Sequence, residues 1–297
     1  MMRIVSLLPS ATDVVVALGG SDLLVGVSHA CDAPVPLPRV TAPAIDATAT
    51  SGAIDAAVRE IAAAGRPLFA LDDALIASLA PDLIITQALC DVCAVSEADV
   101  RALAARIAPA PRVVSVSGAT LDGVFSDIAT IGSAIDLGNE AEELLLGLRH
   151  RMRVIHHALK AARAPRPRVA VIEWTEPIYA GGHWVPEQVA RAGGLDVLAN
   201  TGAHSVTASP VQLRNANPEI VMVAPCGFGI ERAVAEAAHL MSMHPWLAGC
   251  QVWAMDGNAL TSRPGPHLVN GIEAMARIFA PTLFSPGDPA LTRRIAG

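Results

Sequence analysis

The chain has 297 residues, of which 52% are hydrophobic and 16% charged. That balance supports a large buried core and excludes a disordered chain. A net charge of −7 excludes the basic face of a general nucleic-acid binder. No apolar run is long enough to span a bilayer, and five cysteines lack the density of a secreted disulfide scaffold.

The chain opens with "MMRIVSLLPSATDVVVALGG", which imitates a signal peptide until Pro9, Ser10 and Asp13 interrupt its apolar run. It reads as a strand, a turn and a short helix. Ser10 and Asp13 have capping-box spacing, and Gly19-Gly20 closes the helix. No export signal is read here. The expected location is cytoplasmic, with a periplasmic or other extracytoplasmic one as the alternative if a leader has been removed.

Further strands are predicted at 23–28, 82–86, 112–117, 168–174, 219–224 and 251–256. Their apolar runs are short and continuous, as in strands buried on both faces of a parallel sheet. Helical patterns at 97–107, 121–135 and 231–241 alternate with them, which predicts an α/β fold. Ser96 and Asp99 repeat the capping spacing. Pro186 marks another helix start, which Gly193-Gly194 ends.

Between the halves, Ala141, Leu144, Leu145, Leu148, Met152, Ile155, Leu159 and Ala162 form the apolar stripe of one long helix. Asn139 or Glu140 begins it, and Pro165 and Pro167 stop it. The expected division is a first lobe at 1–138, a connecting helix at 139–164 and a second lobe at 165–297. A weak internal repeat supports two related lobes. "LIASLAPDLIIT" (75–86) and "PVQLRNANPEIVMVA" (210–224) each read as a short helix, a Pro-acid step and a buried strand.

Ligands of open parallel sheets bind beyond the carboxyl ends of the strands. The loops there hold Ser10, His29, Cys31, Asp32, Cys90 and Cys93 in the first half. In the second they hold Trp174, Tyr179, His183, Trp184, Cys226, Phe228 and Arg263. Cys90 and Cys93 have metal-ligand spacing but no second pair to complete a zinc site. Packing or ligand-loop cysteines, a metal contact helped by Cys31 and His29, and a redox pair all stay open. Trp174, Tyr179 and Trp184 cluster in a chain that is only 3% aromatic. They form either a packing cluster or a flat wall for a large ring ligand. His183 is a metal-ligand or hydrogen-bonding residue, and Arg263 an anion contact or a brace for loop carbonyls. Cys250 reads as a buried small hydrophobe. No Walker loop, G-x-G-x-x-G, nucleophile elbow or His-Glu-x-x-His pattern occurs, so no enzyme motif is present.

"RIVSLLPSATDVVVALGGSDLLVGVSHACDAP", "PDLIITQALCDVC", "GHWVPEQVARAGGLDVL" and "NPEIVMVAPCGF" together resemble the class III periplasmic-binding-protein superfamily. Within it they resemble the cobalamin-binding, vitamin B12 ABC transporter substrate-binding branch. The resemblance covers about residues 3–284. It implies two Rossmann-like lobes with central parallel sheets, a backbone helix joining them and a ligand cleft between them. It implies binding without catalysis, a corrinoid or other metal-containing ligand and delivery to an ABC transporter permease. Glu97 is the carboxylate it implies for docking from the first lobe. A cytosolic metal or metal-cluster protein using Cys31, Cys90, Cys93 and Cys226 as ligands is the alternative, and a thiol-dependent enzyme a third reading. No catalytic cofactor is expected, only cobalamin or a metal ion as ligand.

Overall fold

Each of the seven apolar runs read as a strand forms one in the computed structural model, which describes residues 1–33, 36–89 and 95–297. The chain divides into two compact units. One comprises residues 1–118 and 122–146, the other residues 119–121 and 147–297.

The first unit runs β1 (Ile4–Ser6), α1 (Pro9–Ala17), β2 (Leu24–Val27), β3 (Thr41–Pro43), α2 (Ser51–Ala63), β4 (Phe69–Leu71) and α3 (Asp73–Ser78). It continues with β5 (Leu83–Gln87), α4 (Glu97–Ala104), β6 (Arg112–Val116) and α5 (Leu121–Ala134). Its main sheet has the order β2-β1-β5-β6, and every pairing in it is parallel. β3 and β4 form a separate antiparallel pair. One core face joins Val5 and Ile84 of the sheet to Ile76 of α3 and to Val100 and Leu103 of α4.

α6 (Gly138–Ala161) follows, a helix of 24 residues. Ala141, Leu145, Leu148 and Ile155 of the predicted stripe are buried, whereas Ala162 lies beyond the helix and is exposed. In the second unit Arg151 donates from Nε and Nη2 to the two carboxylate oxygens of Glu273, each at 2.8 Å. Nη2 also reaches Asn270 Oδ1 at 2.6 Å. This planar fork fixes the second half of α6 to a later helix.

The second unit continues with β7 (Arg168–Thr175), β8 (Ile178–Ala180), α7 (Val185–Arg191), β9 (Leu195–Asp196), β10 (Val206–Thr207) and α8 (Pro210–Asn215). Then come β11 (Ile220–Val223), α9 (Ile230–Met243), β12 (Gln251–Met255), α10 (Gly257–Leu260), α11 (His267–Phe279) and β13 (Thr292–Ala296). The sheet order is β10-β8-β7-β11-β12-β13, with β9 also on β7. β7, β11 and β12 are parallel, as predicted. β8, β10 and β13 add antiparallel edges that the apolar runs did not announce. Ile172, Val221, Val223, Ala233 and Leu240 lie in the core of this unit.

The internal repeat is visible atom by atom. The amide of Arg3 donates to Asp82 Oδ2 at 2.8 Å, and its Nε donates to the carbonyl of Leu79, just after α3, at 2.8 Å. In the second unit the amide of Arg168 faces Glu219 Oε1 at 3.4 Å. Its Nε reaches Asn217 O at 3.0 Å and its Nη2 reaches Ala216 O at 2.6 Å. Each arginine thus opens a central strand and caps the carbonyl end of the short helix before the next one, where cations are favoured. Ala80 and Asn217 turn the chain there with positive φ, +42° and +46°.

One predicted cap is corrected. α1 is entered through an extended Leu8, with no side-chain cap. Pro9 sets the first helical φ, so Ser10 falls inside the first turn and is buried. The Ser96 cap on the amide of Asp99 is present, at 3.2 Å.

Candidate functional site

The carboxyl ends of β7, β11 and β12 converge through the backbone. The amide of Cys226 donates to Glu173 O at 3.0 Å, and that of Asn258 to Phe228 O at 3.1 Å. Gly257 is required at this junction, because a Cβ there would stand 2.1 Å from the Pro225 carbonyl oxygen. Asp256 caps α10 through the amide of Ala259 at 2.8 Å. Asn258, held in that turn, accepts Arg263 Nε at 3.0 Å. Arg263 therefore sits half-buried in a fixed place.

An aromatic pair lies on this junction. Trp174 at the end of β7 meets Phe228 with ring centroids 5.2 Å apart and planes tilted by 44°. The guanidinium of Arg232 lies 3.8 Å from the centroid of the Phe228 ring, a cation–π contact on its face. Glu236, one turn further along α9, faces Arg232 at 3.8 Å and accepts the hydroxyl of Thr175. Tyr179 is the cross-strand partner of Trp174 on β8, and the Cys226 thiol is exposed. Sequence reasoning missed Thr175, Arg232 and Glu236. The four-residue spacing of Arg232 and Glu236 on a predicted helix was the available signal.

Trp184 and His183 belong to a different local cluster. Trp184 is 6% exposed, and its indole N–H donates to Thr261 O at 2.7 Å. It is a packed residue that ties α7 to the loop after α10, which corrects the picture of three rings forming one open wall. His183 lies beside it, with ring centroids 5.6 Å apart.

In the first unit the predicted residues are more enclosed. Cys31 is 2% exposed, and its sulfur shares hydrogen bonds with Thr12 at 3.1 Å and Ser28 at 3.2 Å. Arg39 donates to the carbonyls of Ser28 at 3.0 Å and Cys31 at 2.6 Å. His29 Nδ1 is 2.7 Å from Thr41 Oγ1, and its ring stacks on Phe69 at 5.4 Å. Burial, and then the charge of Arg39, hold His29 below the usual imidazole range. Asp32 is exposed. Cys90 and Cys93 lie outside the described residues. Among the described residues no group of three or more His, Cys, Asp and Glu side chains is placed to hold a metal.

Glu97 opens α4 and accepts Arg101 Nε, one turn on, at 2.7 Å. That bond keeps its carboxyl below the usual carboxylate range. Cys250 is half-buried and donates to Pro218 O at 3.3 Å, and burial pushes its thiol up.

Two α/β units of matching internal plan, with one helix running from the first into the second, define the class of two-lobe solute-binding proteins. The chain belongs to the periplasmic binding protein family, whose model matches residues 4–248. No curated protein matches the chain.

Solved structures share the fold. A periplasmic heme-binding protein from Pseudomonas aeruginosa is 22% identical, with TM-score 0.69, over 100% of this chain and 98% of that one. The periplasmic heme-binding protein RhuT from Roseiflexus sp. RS-1 is 19% identical, with TM-score 0.67, over 95% and 99%. The periplasmic vitamin B12 binding protein BtuF of Vibrio cholerae is 23% identical, with TM-score 0.63, over 93% and 96%.

Membership overturns the cytoplasmic expectation, because the family and these neighbours are periplasmic. The extracytoplasmic alternative is the one supported. The interrupted apolar run behind that expectation is β1 and α1 of the first unit. It is fold, and carries no information about export.

Proposed function

We propose that this protein is the solute-binding component of an ABC importer and that its ligand is a metal-bearing tetrapyrrole, a corrinoid in the first instance. The observation that carries the reading is the Trp174–Phe228 pair at the joined carboxyl ends of β7, β11 and β12. Trp174, half-buried at such a place with Phe228 packed behind it, suits the flat face of a large macrocycle. Trp174 and Tyr179 supply that face, and buried Phe228 backs Trp174. Exposed Cys226, two residues before Phe228, is a thiol for the metal or its surroundings, and Arg263 meets a peripheral carboxylate, amide or phosphate. Neighbours whose names state heme or vitamin B12 binding support the ligand class. In the first unit Ser10 and Cys31 are buried, whereas Asp32 is exposed. Glu97 is the docking carboxylate for the permease, and docking exchanges its ion pair with Arg101 for one with a partner arginine.

The test is titration with cobalamin and, separately, hemin, followed by tryptophan fluorescence and visible absorbance. A saturable response to cobalamin that weakens about tenfold or more in Trp174→Ala supports the reading. A response to hemin alone moves the ligand to the porphyrin class. No response to either at about 100 μM removes the proposal.

A further inference from the structure

The loops before α7 and before β10 bring two imidazoles together. His183 Nε2 and His204 Nδ1 are 3.3 Å apart, and their rings are nearly perpendicular, at 88°. The surrounding backbone holds them there. The amide of His183 donates to Ala203 O at 2.6 Å, and that of Gly202 returns to His183 O at 2.9 Å. Gly182 packs so closely that a Cβ on it would stand 2.4 Å from the Ser205 amide nitrogen. His183 adopts φ +53°, a left-handed conformation that few residues other than glycine take up. A strained residue within a doubly bonded loop pair is a feature of sites where a side chain must be aimed.

We infer that His183 and His204 form a chelating site for divalent transition-metal ions that take a tetrahedral geometry, Zn²⁺ first among them. This goes beyond the tetrapyrrole reading and does not depend on it. Two imidazole nitrogens each about 2.0–2.1 Å from a tetrahedral ion lie roughly 3.3–3.4 Å apart, and the observed separation falls there. Imidazole pairs select these ions over Mg²⁺ or Ca²⁺, which prefer oxygen. Without an ion the two nitrogens share one N–H···N hydrogen bond. Binding needs only that this proton be carried on the outer nitrogen of its own ring, so both facing lone pairs are presented and no net proton is released. His204 is exposed, which leaves room for water on the remaining coordination positions. Burial, and then the charge of His204, hold His183 below the usual imidazole range, which favours its neutral form.

The test uses the full chain with its accessible thiols alkylated, stripped of metal and titrated with ZnCl₂. Calorimetry and tryptophan fluorescence are followed, because Trp184 lies against the His183 ring. One equivalent should bind and change the fluorescence. His204→Asn, an exposed change, and His183→Asn, which tolerates the left-handed backbone, should each weaken binding about tenfold or more. His156→Asn with His157→Asn should leave it unchanged. Equal affinity in the double variant of His183 and His204, or no binding to the unmodified pair, overturns the inference.

Discussion

β1–α3–β5 and β7–α8–β11 are one design built twice. Each begins with an arginine whose amide meets a carboxylate and whose guanidinium caps a short helix, Arg3 with Asp82 and Arg168 with Glu219. The amino ends of the sheets are thus nearly interchangeable, while their carboxyl ends differ. The first unit encloses Cys31 between two hydroxyls, whereas the second displays Cys226 beside an aromatic pair. The amino ends carry packing and helix capping, which both units need alike, and the loops at the other end are where side chains can vary without unmaking the sheet.

The comparison can be broken at its centre first. Ile84 and Val221 occupy matching steps and are fully buried. Ile84→Ala should cost about 2–5 kcal/mol by urea denaturation. Val221→Ala removes one methylene fewer and should cost about 1 kcal/mol less.

The arginine clamps come next. Arg168 donates to two carbonyls and Arg3 to one. Arg168→Ala should cost about 1.5–3 kcal/mol, and Arg3→Ala roughly half of that. Equal costs would mean that the guanidinium bonds are not what the clamps contribute.

A smaller effect follows from the two histidines that burial holds low, His29 in the first unit and His183 in the second. The unfolded chain takes up protons at a higher pH than the folded one at these sites. Stability is therefore full above about pH 6.5 and falls as the pH drops through that value towards the lower folded ones. The urea midpoint should decline between pH 7.5 and pH 5.5, and His29→Gln should make the decline shallower.

The last contrast is in reactivity and leaves stability nearly untouched. Iodoacetamide should label Cys226 in the folded protein and reach Cys31 only on unfolding, as peptide mass mapping would show. Prompt labelling of Cys31 would contradict its enclosure.

The strands and long helices were legible because burial on both faces writes continuous apolar runs and α6 writes a stripe. β8, β9, β10 and β13 were not. β8–β10 are two or three residues long, and β13, "TRRIA", is too polar to announce itself. The helix–Pro-acid–strand repeat could be seen in the letters, but the arginine caps could not. They depend on Ala80 and Asn217 taking a left-handed turn, and alanine gives no warning of one. Of the aromatic cluster, composition found the residues but could not separate Trp174, at a strand end, from Trp184, folded inwards with its N–H committed. His204 went unread because its partner is twenty-one positions away.

Gly147 is the interior glycine of α6, and nothing stands within 4 Å of where its Cβ would be. Space alone therefore does not demand it, and it costs the helix about 0.5–1 kcal/mol relative to alanine. That weak step falls between Leu146 and Gly147, where the chain passes from one unit's packing to the other's. The helix thus carries its least favourable interior residue at the step where the two units divide.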